Sequence, residues 1–196
     1  RGAIRLGALM GILATKGRDK VAIFTSPSIA AFGSWAEQLI AESTGKEGKG
    51  IVPVVGSTVG MPHDYASDRL FIYIKVKDDP ANAVMDAQIR ALREAGHPRL
   101  TLVVKDCYAL GGEFFRWEYA TAVAGKILAV NPFDEPNVTE SKQNTARLLE
   151  HFKDYGTLPS PVPIAEKHGV HLYADHHSIG IIRELSIQHN FDRTDM

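Results

Sequence analysis

The chain is nearly devoid of cysteine, with one, Cys107, in 196 residues. An internal disulfide is excluded, and a lone thiol suits a reducing, cytoplasmic setting. Long apolar runs are missing too. Each hydrophobic stretch is broken by Arg, Lys or Gly well short of the ~20 residues of a membrane helix, so no membrane partner is expected. Neither sign of charge prevails: 22 Lys and Arg face 23 Asp and Glu, a formal net charge of −1. That balance recommends neither nucleic acid nor an anionic surface as partner. Internal repeats and low-complexity tracts are absent. The chain opens on Arg1 with no signal-peptide pattern, and we expect a fragment or processed piece of something longer. What is present is ordinary for a globular domain, with 44% hydrophobic and 23% charged residues. At this length a fold buries roughly 70% of the surface its unfolded chain exposes.

Short apolar runs alternate with helical patterns. Strands are expected at residues 21–25, 51–55, 70–76 and 100–104. Helices are expected at 4–15, 29–43, 80–94, 112–128 and 139–152. Residues 155–163 read as a Pro- and Gly-containing linker, followed by a strand at 171–174 and a weak helix at 178–189. Nearly continuous apolar strands separated by helices predict a three-layer αβα fold with a mostly parallel sheet. In such sheets ligands bind at the carboxyl ends of the strands, so the loops after Thr25, Val55 and Val76 are the expected places for a site.

Several segments bear on chemistry. Gly45 and Gly50 have phosphate-loop spacing, but Ile51 stands where that loop requires Lys, so 44–50 reads as a charged turn. Glu42 lies in the last turn of its helix, where a carboxylate opposes the helix dipole; such local conflict marks functional positions. His63 sits in a Gly- and Pro-containing loop, either a plain surface residue or a proton carrier near neutral pH. His168, His171, His176, His177 and His189 crowd the carboxyl-terminal part, yet adjacent histidines diverge and no four-ligand metal set forms. Cys107 is expected to be a buried structural thiol. The aromatic run Phe114-Phe115-Arg116-Trp117-Glu118-Tyr119 is expected to pack a core. Lys142, three residues into a helix starting near Thr139, is a cation disfavoured by the dipole. It reads either as a surface Lys or as a charge held near a substrate oxygen.

Two stretches together resemble phosphoglucose isomerases. Gln38-Leu39-Ile40-Ala41-Glu42-Ser43-Thr44-Gly45-Lys46 resembles the family's Gln-x-x-x-Glu-Ser-x-Gly-Lys segment. Val130-Asn131-Pro132-Phe133-Asp134-Glu135-Pro136-Asn137 through Lys142 resembles its Asp-Pro-Phe-Asp-Gln-Pro-Gly-Val-Glu-x-x-Lys signature. The wording is most similar to the isomerase part of fused transaldolase–phosphoglucose isomerases, and the resemblance covers about residues 1–155. Asn131, Glu135 and Asn137 depart from the signature, and Glu135 would put a carboxylate near an anionic substrate.

The resemblance implies a flavodoxin-like sugar-isomerase domain over residues 1–155, with 156–196 as linker and extension. It implies interconversion of glucose 6-phosphate and fructose 6-phosphate without metal or organic cofactor. By residue, it implies Glu42 as the proton-shuttling base, Lys142 as the active-site lysine and Gln38 as a substrate-binding side chain. His63 would be the ring-opening histidine, reaching the site from a neighbouring subunit and so implying a homodimer. The family's other sugar-phosphate domain, with its phosphate loop and an active-site Arg, has no counterpart here and is expected to precede Arg1. The competing reading is a non-catalytic sugar-phosphate-binding or dimerisation module. Transaldolase activity itself would need a barrel, and no eightfold strand–helix pattern is present.

Overall fold

The computed structural model describes residues 1–188. It divides into two compact units, Arg1–Thr139 and Glu140–Met196.

The first unit holds α1 (Gly2–Thr15), β1 (Lys20–Thr25), α2 (Ala30–Thr44), β2 (Val52–Val54), β3 (Arg69–Val76), α3 (Ala83–Glu94), β4 (Arg99–Val104) and α4 (Leu110–Leu128). The four strands pair in parallel in the order β2-β1-β3-β4. That is the flavodoxin-like order as far as its fourth strand. The period-two alternation divides the strand residues between two cores. Val21, Ile23, Leu70, Ile72 and Ile74 face α1, α2 and α4. Ala22, Phe24, Phe71 and Tyr73 face the other way, onto Ile89 and Leu92 of α3. Burying each large side chain contributes about 1.5–3 kcal/mol, so both faces are firmly covered near β1 and β3. The first unit is a three-layer αβα domain.

Close approach tightens the first layer. A Cβ on Gly7 would overlap the Ala120 carbonyl and stand 2.8 Å from Val123 Cβ, so α1 lies almost directly on the α4 backbone. Two expectations fail on this helix pair and its approach. Trp117 is fully buried, but Phe115 and Tyr119 point outward at 67% and 47% exposure, because a helix with a single buried stripe turns the intervening positions to solvent. Cys107 is exposed, not buried. It lies past the end of β4, in a short turn where the Asp106 carboxylate accepts from Ala109 N–H.

The division between the units falls within α5 (Pro136–Tyr155). The second unit also holds the antiparallel pair β5 (Ala165–Lys167) and β6 (Val170–Leu172), then α6 (His176–Gln188). The hairpin turn His168-Gly169 has φ of 51° and 78°, the left-handed pair of a type I′ turn. Sequence reading missed β5, since His-Gly is a weak hairpin signal. The Asp175 carboxylate accepts from Ser178 N–H (2.7 Å) and Ser178 Oγ (3.1 Å) and so caps α6. His189 lies outside the described residues.

Candidate functional site

The two motifs meet. α2 runs antiparallel to β1, so its last turn returns to the amino ends of the strands. Thr44 closes it there: the buried hydroxyl donates to Ile40 C=O (2.8 Å) and accepts from Ile51 N–H (3.0 Å). Residues 46–49 then form a tight reversal. Lys46 and Lys49 exchange backbone hydrogen bonds of 3.1 and 2.9 Å, with Glu47 and Gly48 both at positive φ, a type I′ turn. A Cβ at Gly45 would stand 2.8 Å from Ala41 C=O, so only glycine leaves α2 this abruptly.

Across from this turn lies the bend that follows α4. Ala129 ends α4 in the left-handed conformation, and Val130 N–H bonds back to Gly125 C=O. Asn131 Oδ1 accepts from Phe133 N–H (3.1 Å), and its Nδ2 donates to Asp134 Oδ2 (3.1 Å).

Lys46 joins the two segments. Its side chain is only 3% exposed. The ammonium donates to Asn131 C=O (2.7 Å), to Asp134 Oδ1 (2.6 Å) and to the Asp134 carbonyl. All three of its protons therefore have acceptors, the condition under which a buried ammonium is tolerated. The hydrogen bond from Lys46 holds the Asp134 carboxyl below the usual carboxylate range. Asn137 Nδ2 adds a second link, donating to Gly45 C=O (2.8 Å).

Between the segments opens a cleft of ≈ 410 Å³, walled by Ala41, Glu42 and Ser43 on one side and by residues 132–138 on the other. Glu42 is exposed into it, and Gln38 Nε2 donates to Glu42 Oε1 at 3.0 Å. These are positions i and i+4 of one helix face. The bond fixes one carboxylate oxygen and leaves the other for a ligand. Glu135 also lines the cleft. With Lys46 spent on Asp134, the lining is acidic and, among the described residues, holds no free cation.

The structure brings together Glu42, Gln38 and the head of the second signature. It does not bring His63 to them. His63 is 78% exposed and lies 3.5 Å from Asp64. Its loop runs along the α3 face of the sheet, where Val59 and Tyr65 pack and His97 bonds to Pro62 C=O. Glu42 belongs to α2, on the opposite face. Lys142 lies in the second unit and is exposed. Because α5 opens at Pro136 rather than near Thr139, Lys142 falls in its second turn, beyond the reach of the terminal dipole.

The cleft lies at the amino ends of the strands, the reverse of what a parallel sheet predicts. The carboxyl ends hold a separate hollow of ≈ 340 Å³ bordered by Thr25, Ser34 and Ser57, with no titratable side chain among the described residues of its lining. Lys46 carried no role in the sequence reading. The available signal was a lysine inside a glycine-rich turn.

No family model matches the chain. Over an alignment that covers 75% of this chain, it is 29% identical to the glucose-6-phosphate isomerase of Streptococcus pyogenes and 26% identical to that of Enterococcus faecalis. The chain is a distant relative of the glucose-6-phosphate isomerases. It spans 41% of the length of these relatives. The crystal structure of a hypothetical protein from Thermus thermophilus has the same fold, with a TM-score of 0.60 and 22% identity. That match covers 76% of this chain and 49% of the other. Among the described residues, no helix is long and apolar enough to cross a membrane.

Proposed function

We propose that the chain is the second sugar-phosphate domain of an isomerase that interconverts glucose 6-phosphate and fructose 6-phosphate through a cis-enediol. The observation that carries this reading is the cleft itself: both isomerase-like segments border it, and Glu42 is its exposed, hydrogen-bonded carboxylate.

Glu42 takes the proton from C2 of the open-chain aldose. The C–H electron pair forms the C1–C2 double bond, and O1 gains a proton. The O2 proton then leaves, C2=O forms, and Glu42 returns its proton to C1. A single carboxylate within reach of both carbons suffices. Gln38 holds that carboxylate in register and contacts the substrate. Lys142 and His63 open the sugar ring. Since His63 lies on the other face of the sheet in its own chain, the histidine serving this cleft comes from a neighbouring subunit, which makes the enzyme a homodimer.

The cleft's acidic lining bears on the competing reading. A phosphate group would be repelled by Glu42 and Glu135, so the phosphate must be gripped elsewhere, by a preceding sugar-phosphate domain. Alone, these residues form a half-site. Isomerase assays on the full natural polypeptide and on the 196-residue chain separate the two readings. Robust turnover by the full polypeptide, with background turnover by the chain alone, supports the split site. Equal turnover by both excludes it, and none by either leaves a binding or dimerisation module.

A further inference from the structure

On the α3 face, away from the Glu42 cleft, sits a concentration of positive charge unusual in a chain of net charge −1. Tyr73 and Lys75 point from β3 toward α3. In register beside Phe71 and Tyr73, Arg99 and Thr101 project from β4 on the same side. From α3, Asp86, Arg90 and Arg93 follow one another on a single helix face. Together they line a hollow of ≈ 250 Å³.

Its polar groups are unevenly matched. Among the described residues, Asp86 is the only carboxylate in the lining, and both its oxygens are taken by Lys75 Nζ at 2.7 Å. Among the described residues, Arg90, Arg93 and Arg99 have no ion-pair partner. Two donors are poorly matched. Arg99 Nε is buried with no hydrogen-bond acceptor, and the hydroxyl of Tyr73, a residue only 1% exposed, makes no well-aligned hydrogen bond although Ser26 and the Asp86 carboxylate lie beside it. Burial, and then the Asp86 charge, push that phenol up to about 12, so it stays a protonated donor at neutral pH. Buried donors without acceptors are uncommon and call for a missing partner. Here every unmatched group, guanidinium or phenol, is a donor.

We infer that this hollow is a phosphate site, taking inorganic phosphate or the phosphoryl group of a small phosphorylated metabolite. Guanidinium forks match tetrahedral oxyanions bidentately. A dianion would nearly balance the local excess of positive charge, and it would supply acceptors to Tyr73 and Arg99. The site stands independently of the isomerase reading, because it shares no residue with the Glu42 cleft.

The test is an NMR titration of the protein with inorganic phosphate and, separately, glycerol 3-phosphate, against sodium chloride at equal ionic strength. Saturable shifts centred on Tyr73, Arg99 and Thr101 are expected, with a Kd of about 1 mM or tighter. Arg90 and Arg93 are exposed, so Arg90→Ala/Arg93→Ala should fold normally while weakening binding at least ~10-fold. The matched control Arg5→Ala/Lys16→Ala removes equal charge from exposed positions on and beside α1 and should change binding less than ~2-fold. Tyr73→Phe should weaken binding without lowering the melting temperature. Tighter binding of glycerol 3-phosphate would identify a metabolite as the source, and tighter or equal binding of inorganic phosphate would identify the free ion. Shifts no larger than those in chloride, or equal losses in the two double variants, would overturn the inference.

Discussion

Two polar ties cross this domain, one at each end of the sheet. At the carboxyl ends, Ser26 Oγ donates to Asn82 Oδ1 (2.5 Å) and accepts from Val76 N–H (2.8 Å), while Asn82 Nδ2 donates to Val76 C=O (2.8 Å). Ser26 and Asn82 are 0% and 3% exposed, so the knot is sealed. At the amino ends, the Lys46 ammonium is equally buried, but its acid partner Asp134 is 52% exposed. Both ties join segments far apart in sequence. The sealed one holds β1 to the start of the α3 segment and offers nothing to a ligand. The half-open one holds the two walls of a cleft to each other. Burying the cation while leaving the rim wet makes that tie part of a site as well as a structural joint.

The largest stability effect should come from the sealed tie. Asn82→Ala leaves the Ser26 hydroxyl proton without an acceptor and takes the side-chain donor from the Val76 carbonyl in the interior, at a cost of about 2–4 kcal/mol. Urea unfolding measures it, and a loss well under ~1 kcal/mol would mean that water reaches the knot. Lys46→Met should cost less, about 1–3 kcal/mol, since the freed Asp134 is already solvated. Its distinguishing sign is local: amide exchange should accelerate at 45–50 and 130–138 and stay unchanged around Ser26. If both regions loosen together, the ties are not independent.

A smaller, pH-dependent effect belongs to Asp134. Its carboxyl is held below the usual range by the bond from Lys46. The tie's contribution is therefore complete above the ordinary Asp pKa of ~3.9 and is lost as pH falls through the lowered folded value. Amide shifts at 131–134 followed down in pH should report that titration, and Asp134→Asn should abolish it.

The smallest effect concerns Glu113, where a polar group is only half matched. Its side chain is 6% exposed and pairs with Arg116 at 3.1 Å, while Oε2 has no hydrogen-bond partner. Burial pushes its carboxyl above the usual range, so protonation favours the fold and that contribution is lost as pH rises through the raised value. Glu113→Gln should thus raise the melting temperature slightly at pH 7 and lose that advantage near pH 4. A lowered melting temperature at pH 7 would mean that the Arg116 pair outweighs desolvation.

Much of the fold was legible because β1 and β3 are unbroken apolar runs and α2 and α4 carry clean stripes. Their alternation leaves little choice but a parallel sheet. Pro136 at the first position of α5 was a readable start signal, yet the polar 136–139 segment carries no apolar period, so the helix was placed late and Lys142 with it. Cys107 was misjudged because thiol burial depends on where β4 stops, which propensity does not fix. Glu42 and Gln38 could be singled out from one helix. The Lys46–Asp134 tie could not, because its partners are 88 positions apart and only the completed sheet brings them together. His63 shows the same limit from the other side: sequence order says nothing about which face of the sheet a crossover loop will follow.

We propose that Glu42, the carboxylate facing the cleft between the two segments, moves the proton. That role is tested by running the isomerisation of fructose 6-phosphate in deuterated water with the full natural polypeptide, wild type against Glu42→Gln, and reading deuterium at the sugar carbons by NMR. Wild type should place solvent deuterium at C1 of fructose 6-phosphate and C2 of glucose 6-phosphate, through exchange at the enediol. Glu42→Gln should bind the sugar phosphate with little change while incorporation and turnover fall at least ~10²-fold, the scale of general base catalysis. Incorporation by Glu42→Gln at the wild-type rate would contradict the account and move the base to another residue.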